Sequence, residues 1–233
     1  MFFLTLTGFK TLLEINKLKI YTDMKTKLFF SVAILAALLF TACESKEVIS
    51  KTTDKGVVIN GVKWATRNLE STGTFADKPT YYGRYFQWNK KNNDNFMSFD
   101  EYFASNFPNV TSWLSANDPC PKGWRVPTLE EMKKLLDINK VTNERITLEG
   151  NILHYFYKFT DKTSGNNILM SCAGFLNDND SILYGSEQVG LYWSSTEYSV
   201  REAAYCLRFL ASGTVETFAD YKAVGLSVRC VAE

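Results

Sequence analysis

The side chains able to do covalent chemistry here are few: five cysteines, one histidine and a Ser194-Ser195-Thr196 run. A hydrolytic triad needs a base beside its nucleophile. His154 sits in the apolar run ILHYFYKF, where a structural role fits better than a catalytic one, and no G-x-S-x-G elbow surrounds the serines. Zinc calls for closely spaced thiols and imidazoles; these cysteines are far apart and form no C-x-x-C. Asn177, Asp178, Asn179 and Asp180 in FLNDNDSILYG offer hard oxygen donors of the kind calcium takes. Asn and Asp are also what a turn prefers. No catalytic residue, metal or cofactor is therefore expected.

Recognition chemistry is better represented. The stretches STEYSVREAAYCLRF and VETFADYKAVG carry Tyr198, Arg201, Glu202, Asp220, Tyr221 and Lys222, read as loops between strands. Tyrosine and arginine favour contact surfaces because each combines a large area with hydrogen bonding. These six are the candidate ligand-binding residues. Lys and Arg number 26 against 25 Asp and Glu, with no long run of one sign, which argues against a nucleic-acid partner.

The N-terminus reads as an address. Lys25 and Lys27 precede the uncharged apolar run Leu28 to Phe40, which ends at LFTAC. That is a signal peptide with a basic n-region and an h-region, too short for the roughly 20 residues of a membrane-spanning helix. Leu39-Phe40-Thr41-Ala42-Cys43 resembles a bacterial lipobox, with Cys43 the lipidated residue. Several acyl chains, at about 0.8 kcal/mol per buried methylene, would hold the protein on a membrane. Met1 to Asp23 fits this pattern poorly, so Met24 is the expected start. Residues 44–54 are polar and read as a tether, followed by a single domain over 55–233. Removing Cys43 leaves Cys120, Cys172, Cys206 and Cys230, an even number in an exported chain, so disulfide bonds are expected. Four cysteines allow three pairings, and the sequence does not choose among them.

Local patterns supply the elements. Val57 to Leu69 alternates around Asn60-Gly61, a hairpin signal. YYGRYFQW, from Tyr81 to Trp88, is an aromatic strand candidate, and Ser98 to Ser105 a short helix. Pro119 and Pro121 bar regular structure around Cys120. Thr128 and Glu131 form a capping box, after which Leu129, Met132, Leu135 and Leu136 share a helical face to about Asp137. Ile152 to Phe159, Ile168 to Ala173, Leu191 to Ser195, Ala203 to Leu210, Thr214 to Phe218 and Val224 to Val231 are strand candidates. Trp64, Trp124 and Trp193 read as core. Short strands with few helices predict an α+β fold.

Six segments in order carry a family resemblance: GVKWATRNL, YYGRYFQW, CPKGWRVPTLEEMKKLL, YWSSTE, AYCLRF and GLSVRCV. Together they resemble the Fibrobacter succinogenes major paralogous domain family, common in Bacteroidetes lipoproteins. The resemblance implies a C-type-lectin-like fold with adjacent N- and C-terminal strands and loops projecting from one end. It further implies a Cys120–Cys230 bond, worth about 4–5 kcal/mol for a loop of this length, and a Cys172–Cys206 bond. RVPTLEEM is similar to a segment of formylglycine-generating enzymes, which use two nearby C-terminal cysteines; Cys206 and Cys230 are far apart in sequence. The calcium-lectin tripeptides Glu-Pro-Asn and Gln-Pro-Asp are absent. Glu44 and Glu47, behind Cys43, are similar to a surface-export signal. The expectation is thus a non-catalytic, outer-membrane, cell-surface binding module for a protein or glycan. The alternatives are a structural part of an envelope assembly and a formylglycine-type oxidase.

Overall fold

The computed structural model describes residues 51, 53–92, 96–104, 110–148, 154–177, 182–200 and 202–233. Met24, Cys43 and tether residues 44–50 and 52 lie outside the described residues, as do Asp178, Asn179, Asp180 and Arg201. Among the described residues no helix is long and apolar enough to cross a membrane.

Asn60 and Gly61 both adopt left-handed backbone, with φ 46° and 76°. Such a turn matches the twist of an antiparallel pair, so Val57–Ile59 (β1) folds back on Val62–Trp64 (β2). A second small hairpin joins Leu69–Ser71 (β3) to Thr74–Phe75 (β4). Of the aromatic run YYGRYFQW only Tyr85–Phe86 (β5) is strand. Gly83 breaks it: its φ is +71°, and a Cβ there would stand 2.2 Å from the Leu69 carbonyl oxygen. Phe99–Ala104 (α1) follows, then Trp124–Arg125 (β6).

The expected capping box forms. Thr128 Oγ1 accepts the Glu131 amide, and Glu131 accepts the Thr128 amide at 2.8 Å. The helix it starts, Leu129–Leu135 (α2), buries Leu129, Met132 and Leu135. Both Glu131 carboxylate oxygens also take Arg125 guanidinium hydrogens, at 2.8 and 2.7 Å, which fastens β6 to the helix start.

Strands dominate the remainder: Val141–Leu148 (β7), His154–Asp161 (β8), Asn167–Ser171 (β9), Phe175–Leu176 (β10), Leu183–Tyr184 (β11), Val189–Glu197 (β12), Ala203–Leu210 (β13), Val215–Tyr221 (β14), Leu226–Ser227 (β15) and Val231–Ala232 (β16). They form a five-stranded sheet in the order β14-β13-β12-β15-β5, a four-stranded sheet β1-β2-β16-β6 and a three-stranded sheet β7-β8-β9. Strand β16 lies between β2 and β6, so the two ends of the domain sit side by side.

Among the described residues 43% are strand and 10% helix, in several small sheets, which is a β-rich fold. The α+β, C-type-lectin-like class inferred from the sequence is thereby overturned. The sequence signals a helix at Thr128 clearly, but both α-helices among the described residues are short, and the architecture is set by pairing between strands.

Alternation along β12 and β13 divides the interior in two. Tyr192, Leu207 and Phe209 face one cluster with Trp64, Met132, Tyr157, Phe159, Met170 and Cys172. Leu191, Trp193, Ala204 and Cys206 face another with Phe75, Phe86, Trp88, Leu226 and Cys230. Cys120 and Cys230 are bonded across 110 residues. Cys172 and Cys206 are buried free thiols. The expected Cys172–Cys206 bond is absent because the β12–β13 sheet assigns the two side chains to different clusters. Burial pushes the Cys172 thiol up to about 12 and the Cys206 thiol well above its ordinary value.

The interior also holds a polar network. Arg229 is fully buried. It donates to Asn68 Oδ1 at 2.8 and 2.6 Å, to the Ala65 carbonyl at 3.1 Å and to the Leu169 carbonyl at 3.0 Å. Asn68 in turn donates to the Tyr82 carbonyl at 2.8 Å and to Tyr192 Oη at 3.2 Å. Tyr192 Oη accepts the Ser171 amide at 2.9 Å. Burial lowers the Arg229 pKa, yet a guanidinium keeps its charge. Four acceptor contacts to neutral oxygens replace the water that the cation gives up. Nearby, Arg67 and Asp54 form a second buried pair at 3.2 Å.

Candidate functional site

Antiparallel register gathers the recognition residues at one end of the five-stranded sheet. Strand β12 ends at Glu197, β13 starts at Ala203 and β14 ends at Tyr221. Glu197 pairs with Ala204, which pairs with Asp220, while Ala203 pairs with Tyr221. Tyr198, Glu202, Asp220 and Tyr221 therefore share this end. Asp220 and Tyr221 belong to β14 itself, not to the loop the sequence suggests. Arg201 lies outside the described residues.

Hydrogen bonds tie this end together. The Tyr198 amide donates to the Ala203 carbonyl at 3.1 Å, and the Lys222 amide to the Glu202 carbonyl at 2.9 Å. Asp220 Oδ1 accepts the Tyr221 amide at 2.9 Å. The Tyr198 ring meets Tyr205 edge-to-face at 5.0 Å, and Tyr221 meets Phe99 of α1 at 5.5 Å. Phe99 and Phe103 are themselves 4.6 Å apart. Tyr198 is 36% exposed, Tyr221 55% and Val200 52%. The result is an aromatic rim with acidic groups beside it.

Lys222 does not belong to that rim. Its side chain is 4% exposed, and Nζ lies 2.5 Å from Glu197 Oε1 and 4.5 Å from the Trp88 ring centroid. The lysine turns inward and ties the end of β14 to the end of β12. Trp88 Nε1 donates to the Ser194 carbonyl at 2.9 Å, and Ser194 Oγ to the Tyr205 carbonyl at 2.8 Å. Ser194 is thus committed to the frame beneath the rim. The expected core tryptophans Trp64 and Trp193 are fully buried; Trp124 is partly buried beside the second cluster.

His154, read as structural, is more exposed than its apolar surroundings in sequence imply. Its side chain is 43% exposed and Nδ1 lies 2.9 Å from Glu187 Oε1; Tyr82 Oη is 2.7 Å from the same nitrogen. Positions 82, 154 and 187 come from three separate segments, and no local pattern joins them. Among the described residues no group of three or more His, Cys, Asp and Glu is placed to hold a metal ion. Asn177 is described; the three residues after it are not.

No curated protein and no solved structure matches this chain. The profile of one family matches residues 57–232, which takes in both clusters, the Cys120–Cys230 bond, the Arg229 network and the sheet end. The chain belongs to the Fibrobacter succinogenes major domain family.

Proposed function

We propose that this protein is a non-catalytic binding module, anchored in the outer membrane through lipid on Cys43 and displaying the Tyr198–Tyr221 end of its main sheet to a protein or glycan at the cell surface. The observation that carries the reading is an aromatic rim of two exposed tyrosines on a base fixed by the buried Lys222–Glu197 pair. A rigid base keeps the entropy of ordering low on binding. The state of the cysteines supports a role without catalysis: two are bonded, and burial keeps the other two protonated, which makes them poor nucleophiles. The anchor rests on the sequence around Cys43 alone.

Glycan arrays and immobilised cell-surface proteins of the same bacterium, probed with the protein and with its Tyr198→Ala/Tyr221→Ala variant, test the reading. A specific ligand held at least about tenfold more tightly by the unaltered protein is expected. Equal capture by both removes the sheet end from consideration. Labelling cells with an alkynyl fatty acid tests the anchor: Cys43→Ala abolishes incorporation if the lipobox is used.

A second reading, a structural part of an envelope assembly, is favoured by the β10–β11 hairpin. There Ile182, Leu183 and Tyr184 are 54%, 42% and 42% exposed, an apolar group of the kind that contacts other proteins. Co-purification that survives Y198A/Y221A but not Leu183→Asp would select it.

A further inference from the structure

We propose that the cleft between Tyr81-Tyr82 and the start of β8 binds a neutral saccharide. Glu70, Thr80, Tyr81, Tyr82, His154 and Phe156 line a cleft of 470 Å³, inside the roughly 300–1,000 Å³ range of small-molecule sites. It shares no lining residue with the sheet end, and it does not depend on that surface binding anything.

Its polar chemistry starts at His154. Glu187 Oε1 lies 2.9 Å from Nδ1, and an ionised carboxylate can only accept. The proton of the neutral ring therefore sits on Nδ1, which leaves Nε2 a bare acceptor. Among the described residues Nε2 has no hydrogen-bond partner, and the ring is 43% exposed. Tyr82 Oη, 2.7 Å from the same Nδ1, shares that proton as an acceptor, so its own hydrogen stays available to a ligand. Glu187 is held for this task. Its φ of 63° is unusual for a residue other than glycine, its amide donates to the Cys172 carbonyl at 2.8 Å, and its second oxygen takes the Tyr155 amide at 2.9 Å. Glu187 is a positioning residue, fixing which nitrogen faces outward as acceptor.

The lining chemistry selects the ligand class. Glu70 is paired with Arg84 at 3.4 Å and Glu187 with His154, so the carboxylates near the cleft already have partners and a neutral ligand leaves no new charge uncompensated. Thr80 Oγ1, Nε2 and the Tyr82 hydroxyl hydrogen form a mixed set of acceptors and donors, matching sugar hydroxyls, which both donate and accept. Tyr81 is 47% exposed and offers a ring face against which the C–H face of a pyranose can stack. Lys78, 5.6 Å from the Tyr81 ring centroid, steadies that ring. A purely aliphatic ligand would bury the polar set without partners.

Saturation-transfer NMR on the full-length protein, with maltotriose, cellotriose, mannotriose and chitotriose as probes, tests the site. At least one trisaccharide is expected to receive saturation at millimolar concentration. Its Kd should rise about tenfold, equivalent to 1.4 kcal/mol, in Tyr81→Ala and in His154→Ala, and stay unchanged in Ile138→Ala, at an exposed residue that does not line the cleft. Because His154 is the only histidine, its ring 15N shifts can be read without ambiguity. They should report the Nδ1–H tautomer in alkaline buffer, and Glu187→Gln should move them toward a mixture. No transfer to any of the four sugars would overturn the proposal, as would binding indifferent to Tyr81→Ala, an equal loss in Ile138→Ala, or capture of choline in place of sugar. The last would make the aromatic walls a cation site. Failure here leaves the sheet-end reading standing, since that reading is tested by Tyr198 and Tyr221.

Discussion

Two regions close together in the last thirty or so residues are built to opposite rules. The Arg229 guanidinium is matched to interior acceptors on Asn68, Ala65 and Leu169, and the segments that meet there, GVKWATRNL, YWSSTE and GLSVRCV, are ones by which the family is recognised. Around Tyr221 the side chains stand out from the sheet end, with ring contacts beneath them and solvent above. The motifs that identify this family therefore specify a frame. The exposed tyrosines of the sheet end, Tyr198 and Tyr221, fall outside those motifs, and recognising the family does not name a ligand. Lys222 marks the border: one residue beyond exposed Tyr221, it is buried and paired.

Substitutions can break this contrast or sharpen it. The largest effect is expected from Arg229→Met, which leaves Asn68 Oδ1 and two carbonyls without their donor. At about 1–3 kcal/mol for each of the three stranded acceptors, urea denaturation should register a loss of about 3–9 kcal/mol; a loss under about 1 kcal/mol would deny the network its place in the frame. Next comes the bridge. Cys120→Ser with Cys230→Ser should remove about 2–5 kcal/mol, and reductant should destabilise the unaltered protein but not the double variant. Lys222→Met strands Glu197 and should lower stability by about 1–3 kcal/mol. If it instead changes binding with stability intact, the border lies elsewhere.

A smaller, pH-dependent effect belongs to Asp161. It accepts the amides of Asn60, Thr163 and Ser164 at 2.7, 2.9 and 2.8 Å, and the Asn60 amide leads in holding its pKa down to about 2. The folded value lies below the unfolded one, so the stabilisation is fully present above about pH 4 and is lost as pH falls through 2. Asp161→Asn should flatten that part of the acid-unfolding curve. Smallest in stability is Tyr198→Ala with Tyr221→Ala, within about 0.5 kcal/mol by thermal melting. The same variant carries the binding test, so a large stability loss would reassign both tyrosines to the frame.

Much of the frame was readable from short stretches. Asn60-Gly61 dictates its own turn, Thr128 and Glu131 their own cap, and the alternation from Ala203 to Leu210 its own strand, because each depends on neighbours a few residues away. Strand β7 was not readable: VTNERITL is mostly exposed, and with little buried face it shows little apolar alternation. The α+β expectation failed for a related reason. A capped helix is conspicuous in sequence, whereas strands of two or three residues, such as β5 or β16, exist only through their partners.

By itself the sequence determined the family, the turn and cap that organise two of its segments and, through the family resemblance, the Cys120–Cys230 bond. Only the tertiary structure decided that Lys222 turns inward, that Cys172 and Cys206 stay apart, and that Tyr82, His154 and Glu187 meet at one nitrogen. Each of those outcomes depends on strand register and on which face of a sheet a side chain occupies, and register is fixed by packing between segments remote in the chain.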